Sequence, residues 1–247
     1  MPTPRLTFVL VHGAWHGGWC WARVAERLRG AGHRVLTPTL TGHGERAHLL
    51  TPETGLDTFI QDIIATLEAE EVTDAVLVGH SLAGGPITGA ADRAPERIAH
   101  LIYLDAALPQ DGESVFSRYA PETVAKRRKL AQETSGGPTL PAPPPASFGV
   151  TAKEDVAWLE HNLRPEPFRG FEDTLHLRHP FGNGRKITYI ACVKPTYPPA
   201  APAHDHASRQ PGWQYLELAT GHDAMILAPA ELSDMLLHVA SFHLLEG

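Results

Sequence analysis

Asp74-Ala-Val-Leu-Val-Gly-His-Ser-Leu-Ala-Gly-Gly85 is the stretch from which the rest of this chain is read. Four residues that favour buried strands, 75–78, run into Gly79-His80-Ser81-Leu82-Ala83-Gly84, and small residues then open a helix. A turn this tight between strand and helix requires small neighbours on either side of its central serine and holds that hydroxyl outward, where it can act as a nucleophile. The usual spacing is Gly-x-Ser-x-Gly, and Ala83 stands at the second glycine position, one methyl away from a formal match. The string by itself also describes an ordinary glycine-rich turn. Its place after a buried-strand pattern and before a helix is what points to Ser81.

Working outward, strand and helix patterns alternate. Residues 6–11 form an apolar strand pattern interrupted only by Thr7, and apolar residues recur at helical spacing over 19–28. Residues 33–36 read as a strand. Residues 56–67 read as an amphipathic helix with Phe59, Ile60, Ile63, Ile64 and Leu67 on one face. After the helix that follows Ser81, a strand is expected over 101–104, then others over 187–192 and 213–218, with a closing helix from Ala230 to about Leu244. This rhythm predicts an α/β chain whose mostly parallel sheet is flanked by helices. Between Ala106 and Arg185 the rhythm breaks into helical segments at 115–131 and 153–163, separated by Gly136-Gly-Pro-Thr-Leu-Pro-Ala-Pro-Pro-Pro145. The expected division is therefore a core of residues 1–105 and 186–247, with residues 106–185 inserted as a helical cap or lid after the strand ending at Leu104. Such an insertion lies at the carboxyl ends of the strands, where open α/β sheets bind ligands. The proline tract reads as a stiff connector, and Lys126-Arg-Arg-Lys129 as a solvated helix face.

Bulk properties narrow the function classes. The chain has 247 residues, 43% hydrophobic and 20% charged, which suits a globular enzyme. A net charge of -7 argues against a nucleic-acid partner or an anionic membrane surface. Two cysteines make no disulfide framework. No apolar run reaches signal-peptide or membrane-spanning length, so a cytoplasmic protein is the default expectation.

A serine hydroxyl needs a base to take its proton and an acid to orient that base. In this architecture the chain order is serine, acid, histidine. His222, in Leu218-Ala-Thr-Gly-His-Asp-Ala-Met225, follows the last strand on a glycine-preceded loop and is the candidate base. The acid commonly follows the penultimate strand, but Ala191-Cys-Val-Lys-Pro195 contains no carboxylate. Asp105, one residue past the strand at 101–104 and otherwise in apolar surroundings, is preferred. Asp205, between His204 and His206, is the alternative. Asp223 reads as the cap of the turn after His222, and His204 and His206 as exposed loop residues. With no His-Glu-x-x-His motif and no cysteine pair, neither a metal nor a cofactor is expected. His12 and His16 shape the site rather than act as bases. The oxyanion of an acyl-transfer intermediate would be held by backbone N–H groups of Leu82, after the nucleophile, and of Ala14, beyond the Gly13 hinge.

Phe8-Val-Leu-Val-His-Gly-Ala-Trp-His-Gly-Gly-Trp-Cys-Trp21 resembles the first loop of the plant methyl esterases and hydroxynitrile lyases of the α/β-hydrolase fold, and of their bacterial esterase relatives. The resemblance is close over residues 6–110, returns at Gly221-His222 and the final helix, and is poor through the cap. It implies the nucleophile at Ser81, the base at His222 and the oxyanion donors at Ala14 and Leu82. The chain departs from that family in lacking an aspartate after Val193. Haloalkane dehalogenases, which share the fold, place their acid where Asp105 stands, but their nucleophile is an aspartate. The lyases carry threonine at the Gly13 position and lysine after the catalytic histidine, where this chain has Asp223. The resemblance thus implies a cofactor-free serine carboxylesterase acting on small alkyl or aryl esters. Trp15, His16, Phe116, Phe148 and Trp158 are the expected pocket residues, with the cap's own core as the other reading of Phe148 and Trp158. The alternatives are a carbon–carbon lyase acting on cyanohydrins and a slow-turnover ligand sensor.

Overall fold

The computed structural model describes residues 5–242, the last two by their backbone. Its strands are β1 (Thr7–Val11), β2 (Arg34–Leu36), β3 (Ala75–His80), β4 (Ile98–Leu104), β5 (Thr139–Leu140), β6 (Glu166–Pro167), β7 (Lys186–Cys192) and β8 (Gln214–Leu218). Its helices are α1 (Ala22–Gly30), α2 (Leu56–Ala69), α3 (Gly84–Arg93), α4 (Pro121–Ser135), α5 (Lys153–Asn162), α6 (Arg169–Glu172), α7 (Ala201–Ala207), α8 (Ala224–Leu227) and α9 (Pro229–Phe242). Six strands form one sheet in the order β2-β1-β3-β4-β7-β8, and every neighbouring pair is parallel. β5 and β6 form a separate antiparallel pair within the segment between β4 and β7.

The buried strands follow from composition. All six residues of β3 are buried, as a strand covered on both faces requires. α2 buries Leu56, Phe59, Ile60, Ile63, Ile64 and Leu67 and packs against α3, while α1 packs against α9. Each such side chain taken fully out of water contributes about 1.5–3 kcal/mol before the entropy of ordering it is subtracted. No helix among the described residues is long and apolar enough to cross a membrane.

Several expected elements have different bounds. The helical pattern at 19–28 splits into a 3-10 turn, Gly18–Trp21, and α1. The one at 115–131 splits into Val115–Arg118 and α4, which opens at Pro121, the residue whose fixed φ suits a first helical turn. The closing helix runs through Phe242, and its expected end at Leu244 lies outside the described residues.

Register brings the carboxyl ends of the strands together. Gly79 is opposite Tyr103 and His80 opposite Leu104, so the next residues, Ser81 and Asp105, emerge side by side. Leu104 is opposite Ile190, and Cys192 opposite Leu218, which carries the chain to the loop holding His222. On the other side Val11 is opposite Gly79, so the loop after β1 lies against Ser81.

Candidate active site

Backbone strain marks the place. Five non-glycine residues among those described have positive φ, and three of them are Ser81 (55°) and Asp105 (47°), directly after β3 and β4, and Trp15 (66°), in the loop after β1. Such backbone costs energy and persists where surrounding structure holds it, as at functional sites. The surroundings are tight here. A Cβ at Gly13 would lie 2.7 Å from Ser81 Cβ and 2.9 Å from His80 Nδ1, and one at Gly84 would lie 1.8 Å from the Ala107 carbonyl oxygen. Glycine at these two positions is what lets the loop after β1 and the chain after β4 close on the turn at Ser81. The Ala107 N–H completes that closure by donating to the Ser81 carbonyl at 2.9 Å.

Ser81, His222 and Asp105 form one hydrogen-bonded chain. His222 Nδ1 is 2.5 Å from Asp105 Oδ2, and His222 Nε2 is 2.9 Å from Ser81 Oγ. An ionised carboxylate can only accept, so Nδ1 carries the proton and Nε2 of the neutral ring is free to accept from the Ser81 hydroxyl. Asp105 Oδ1 accepts from the Cys192 N–H at 2.9 Å and from His204 Nε2 at 2.5 Å. Burial by itself would raise the Asp105 pKa, but the hydrogen bonds from His204 and His222 outweigh it and hold the carboxyl well below the usual carboxylate range. Asp205, the alternative acid, is exposed on α7 and pairs with Arg209. His204 is not the exposed loop residue expected from the sequence. α7 turns it inward onto Asp105, with its side chain 11% exposed.

A second buried layer lies beneath. Asp223 opens α8, but its side chain makes no cap hydrogen bond; Oδ2 instead lies 3.2 Å from His16 Nε2. His16 Nδ1 donates to the Ala14 carbonyl at 2.7 Å. Burial opposes a charge on His16, yet the Asp223 carboxylate raises its pKa. His80 donates from Nε2 to the His222 carbonyl at 3.0 Å, and burial first, then neighbouring His222, pushes its pKa down to about 3. His12 is likewise held neutral by burial, bonding Gly13 O from Nδ1 and accepting the Leu40 N–H at Nε2. One group of described residues, His80, His222 and Asp223, brings three possible metal-ligand atoms within 4.8 Å of one another. Both ring nitrogens of His222 are already engaged, so an ion there would have to displace one of its hydrogen bonds.

A cavity of about 640 Å³, counting its open mouth, lies above Ser81 and His222. Ala14, Trp15 and Leu82 line it, together with Leu108, Val115, Tyr119, Phe171 and Tyr197; Arg118 and His206 are among its polar contributors. Of the aromatic or imidazole residues expected there, only Trp15 is in the lining. His16 is drawn down to Asp223 and stacks on Trp19. Phe116 stacks behind Phe171 with ring centres 5.2 Å apart, and Phe148 packs on Trp15 and His222. Trp158 sits against Trp19 and under Arg23. Arg127, expected on a solvated helix face, turns its guanidinium over the rings of Tyr119 and Phe171. Tyr197 stacks on His222 at 4.1 Å, a contact that no sequence signal announced.

Glu166 is a further residue that sequence reasoning missed. Fully buried in β6, it accepts at Oε2 from the Trp15 N–H and from His43 Nε2, both at 2.7 Å. Leu140 O accepts from Trp15 Nε1, and the Arg164 N–H donates to Trp15 O. The inserted segment thereby grips the loop after β1 at three points.

The alpha/beta hydrolase family model matches residues 8–235. The chain belongs to the alpha/beta hydrolase family. It is 39% identical over 240 residues to a carbendazim hydrolyzing esterase of Nocardioides sp., covering 93% of this chain and 97% of that one. It is 28% identical over 207 residues to methyl jasmonate esterase 1 of Vitis vinifera, covering 76% and 78% of the two chains. Among solved structures, the methylesterase MES16 from Arabidopsis superposes with a TM-score of 0.76 at 25% identity, covering 96% of this chain and 99% of that one.

Proposed function

We propose that the protein is a serine carboxylesterase that needs no cofactor, with Ser81 as nucleophile, His222 as base and Asp105 as the acid that orients it. The observation that carries this reading is the unbroken chain Ser81 Oγ, His222, Asp105 beneath an open cavity. Ser81 Oγ attacks the ester carbonyl while its proton passes to His222 Nε2. Asp105 stabilises the resulting imidazolium and keeps the ring oriented. The carbonyl oxygen, now negative, is held by the N–H groups of Leu82 and Ala14, which both border the cavity beside Ser81. His222 then protonates the departing alkoxide. Water, deprotonated by His222, releases the acid from the acyl-enzyme.

The predominantly apolar wall around Leu108, Val115, Phe171 and Tyr197 supports a small alkyl or aryl ester as substrate, and the segment of residues 106–185 acts as its lid. The esterase relatives support hydrolysis over carbon–carbon cleavage. Packing supports the same order, because the threonine of the lyases at position 13 would collide with Ser81 and His80. The test is turnover of p-nitrophenyl acetate, an aryl methyl ester and carbendazim, alongside labelling by a serine-directed phosphonate. Hydrolysis and a label on Ser81 alone are expected. Cyanide release from mandelonitrile at a rate above ester hydrolysis would reverse the assignment.

A further inference from the structure

Asp105 carries more donors than orienting His222 requires. Oδ2 faces His222 Nδ1, while Oδ1 receives both the Cys192 N–H and His204 Nε2, the latter as close as His222 itself at 2.5 Å. The backbone at Asp105 is clamped by its N–H donating to Ile190 O at 2.8 Å. Rotation of the carboxylate is therefore governed by what holds Oδ1. The segment after β7 supplies no carboxylate near its strand end, and α7, which follows it, delivers an imidazole to the acid instead. We propose that His204 is a positioning residue for the Ser81–His222–Asp105 relay, fixing the Asp105 carboxylate toward His222 and drawing off part of its negative charge so that His222 remains an unprotonated base at lower pH. The proposal rests on the hydrolase reading above. His204 keeps its Nε2 proton throughout, donating it to Oδ1, and the Ser81 proton travels only to His222 Nε2.

The sign follows from charge. Whether His204 is neutral or cationic, its N–H bond to Oδ1 lowers the negative potential that Asp105 presents to His222. Removing it leaves more charge on Asp105 to stabilise the imidazolium while the Cys192 N–H still holds Oδ1, so the His222 midpoint rises. The other groups facing His222 stay in place: Ser81, His80 with ring centres 4.6 Å apart, Tyr197, the Cys192 thiol, and Asp223 with its own partner His16. Around His204 are Asp105 and the edge of Tyr189, whose hydroxyl is committed to Ala106 O. On its own helix Asp205 is paired with Arg209, and His206 lies edge-on to Trp213.

The full-length protein, labelled with ¹⁵N-histidine, reports the His222 midpoint directly in wild type, His204→Ala and His204→Gln, independently of any turnover. The acid limb of kcat/KM for p-nitrophenyl acetate follows the same quantity. His204→Ala should raise both midpoints by about half to one pH unit, a roughly three- to tenfold gain in proton affinity. His204→Gln, which restores an N–H donor, should recover most of the shift. A purely structural residue would lower kcat and thermal stability in the alanine variant with both midpoints unmoved, and that result overturns the proposal. In wild type, two ring N–H protons strongly deshielded by a carboxylate should be visible and should assign to His222 and His204; finding only the His222 signal overturns it even if His204→Ala does not fold. Absence of esterase activity beside a shifted His222 midpoint would reject the hydrolase reading while leaving the electrostatic link intact.

Discussion

At the residue scale, the two candidate acids separate cleanly. Asp105→Asn preserves shape but removes the charge proposed to steady the His222 imidazolium, an exchange that costs about 10⁴-fold in kcat in well-studied triads. Asp205→Asn touches an exposed pair with Arg209 and should change kcat by less than about threefold. The two are compared at matched folding by circular dichroism, because Asp105 is buried. A crippled Asp205→Asn with an active Asp105→Asn would reassign the acid. Ser81→Ala should lower kcat by about 10⁴-fold or more with the fold intact, and more than a tenth of the activity surviving would sink the acyl-enzyme mechanism. The buried histidines also set a pH dependence of stability. His80 and His12 have folded pKa values below those of the unfolded chain, so their contribution is complete above about pH 6.5 and is lost as pH falls, for His80 toward about 3. His16 is raised, so its contribution is complete below about pH 6.5 and is lost as pH rises through its folded value. The thermal midpoint should therefore peak near neutrality. His80→Gln should flatten the acid side between about pH 7 and 4.5, and an unchanged slope would show that His80 does not titrate on unfolding.

At the element scale, the site depends on three parallel strands ending in register. β3 and β4 place Ser81 beside Asp105, and β1 brings Gly13 against Ser81. Gly13→Ala puts a methyl where two atoms already lie within 3 Å, so the turn or the loop must shift. Displacements of about an ångström at reacting groups cost on the order of 10²-fold in rate. The expected outcome is a loss of about that size in kcat with thermal stability lowered only modestly; wild-type kcat in a folded Gly13→Ala protein would mean that the loop yields freely.

At the scale of the whole molecule, the insertion and the core are joined by buried polar contacts as well as apolar ones. Glu166 reaches from β6 to the Trp15 N–H, one residue from the proposed oxyanion donor Ala14, and to His43 beyond it. Glu166→Ala would leave two buried donors facing a hole. Each buried donor left without a partner costs about 1–3 kcal/mol, and the loop after β1 should loosen with that loss. Urea unfolding at neutral pH should show that loss, and kcat/KM should fall by more than about tenfold. Stability equal to wild type would show that the insertion docks without this contact.

What the chain determined locally was its alternation of elements, the turn at Ser81 and the histidine after the last strand. These follow from apolar periodicity and from glycine at close approaches, properties a few neighbouring residues carry between them. Asp105 was legible for a related reason, as a carboxylate stranded among apolar residues at a strand end. The cavity wall was not. Four of the five residues expected in it, His16, Phe116, Phe148 and Trp158, pack elsewhere, because an aromatic ring is equally suited to a core and to a pocket and its neighbours are chosen by packing. His204, Glu166 and Tyr197 were hidden more deeply. His204 lies 99 residues from Asp105 and Glu166 lies 151 from Trp15, while Tyr197 stands in an irregular loop whose path no period describes. A hydrogen bond or stacked ring acts over a few ångströms, so only the tertiary structure, by folding those segments onto one strand edge, decided which of fifteen histidines and which carboxylates would meet.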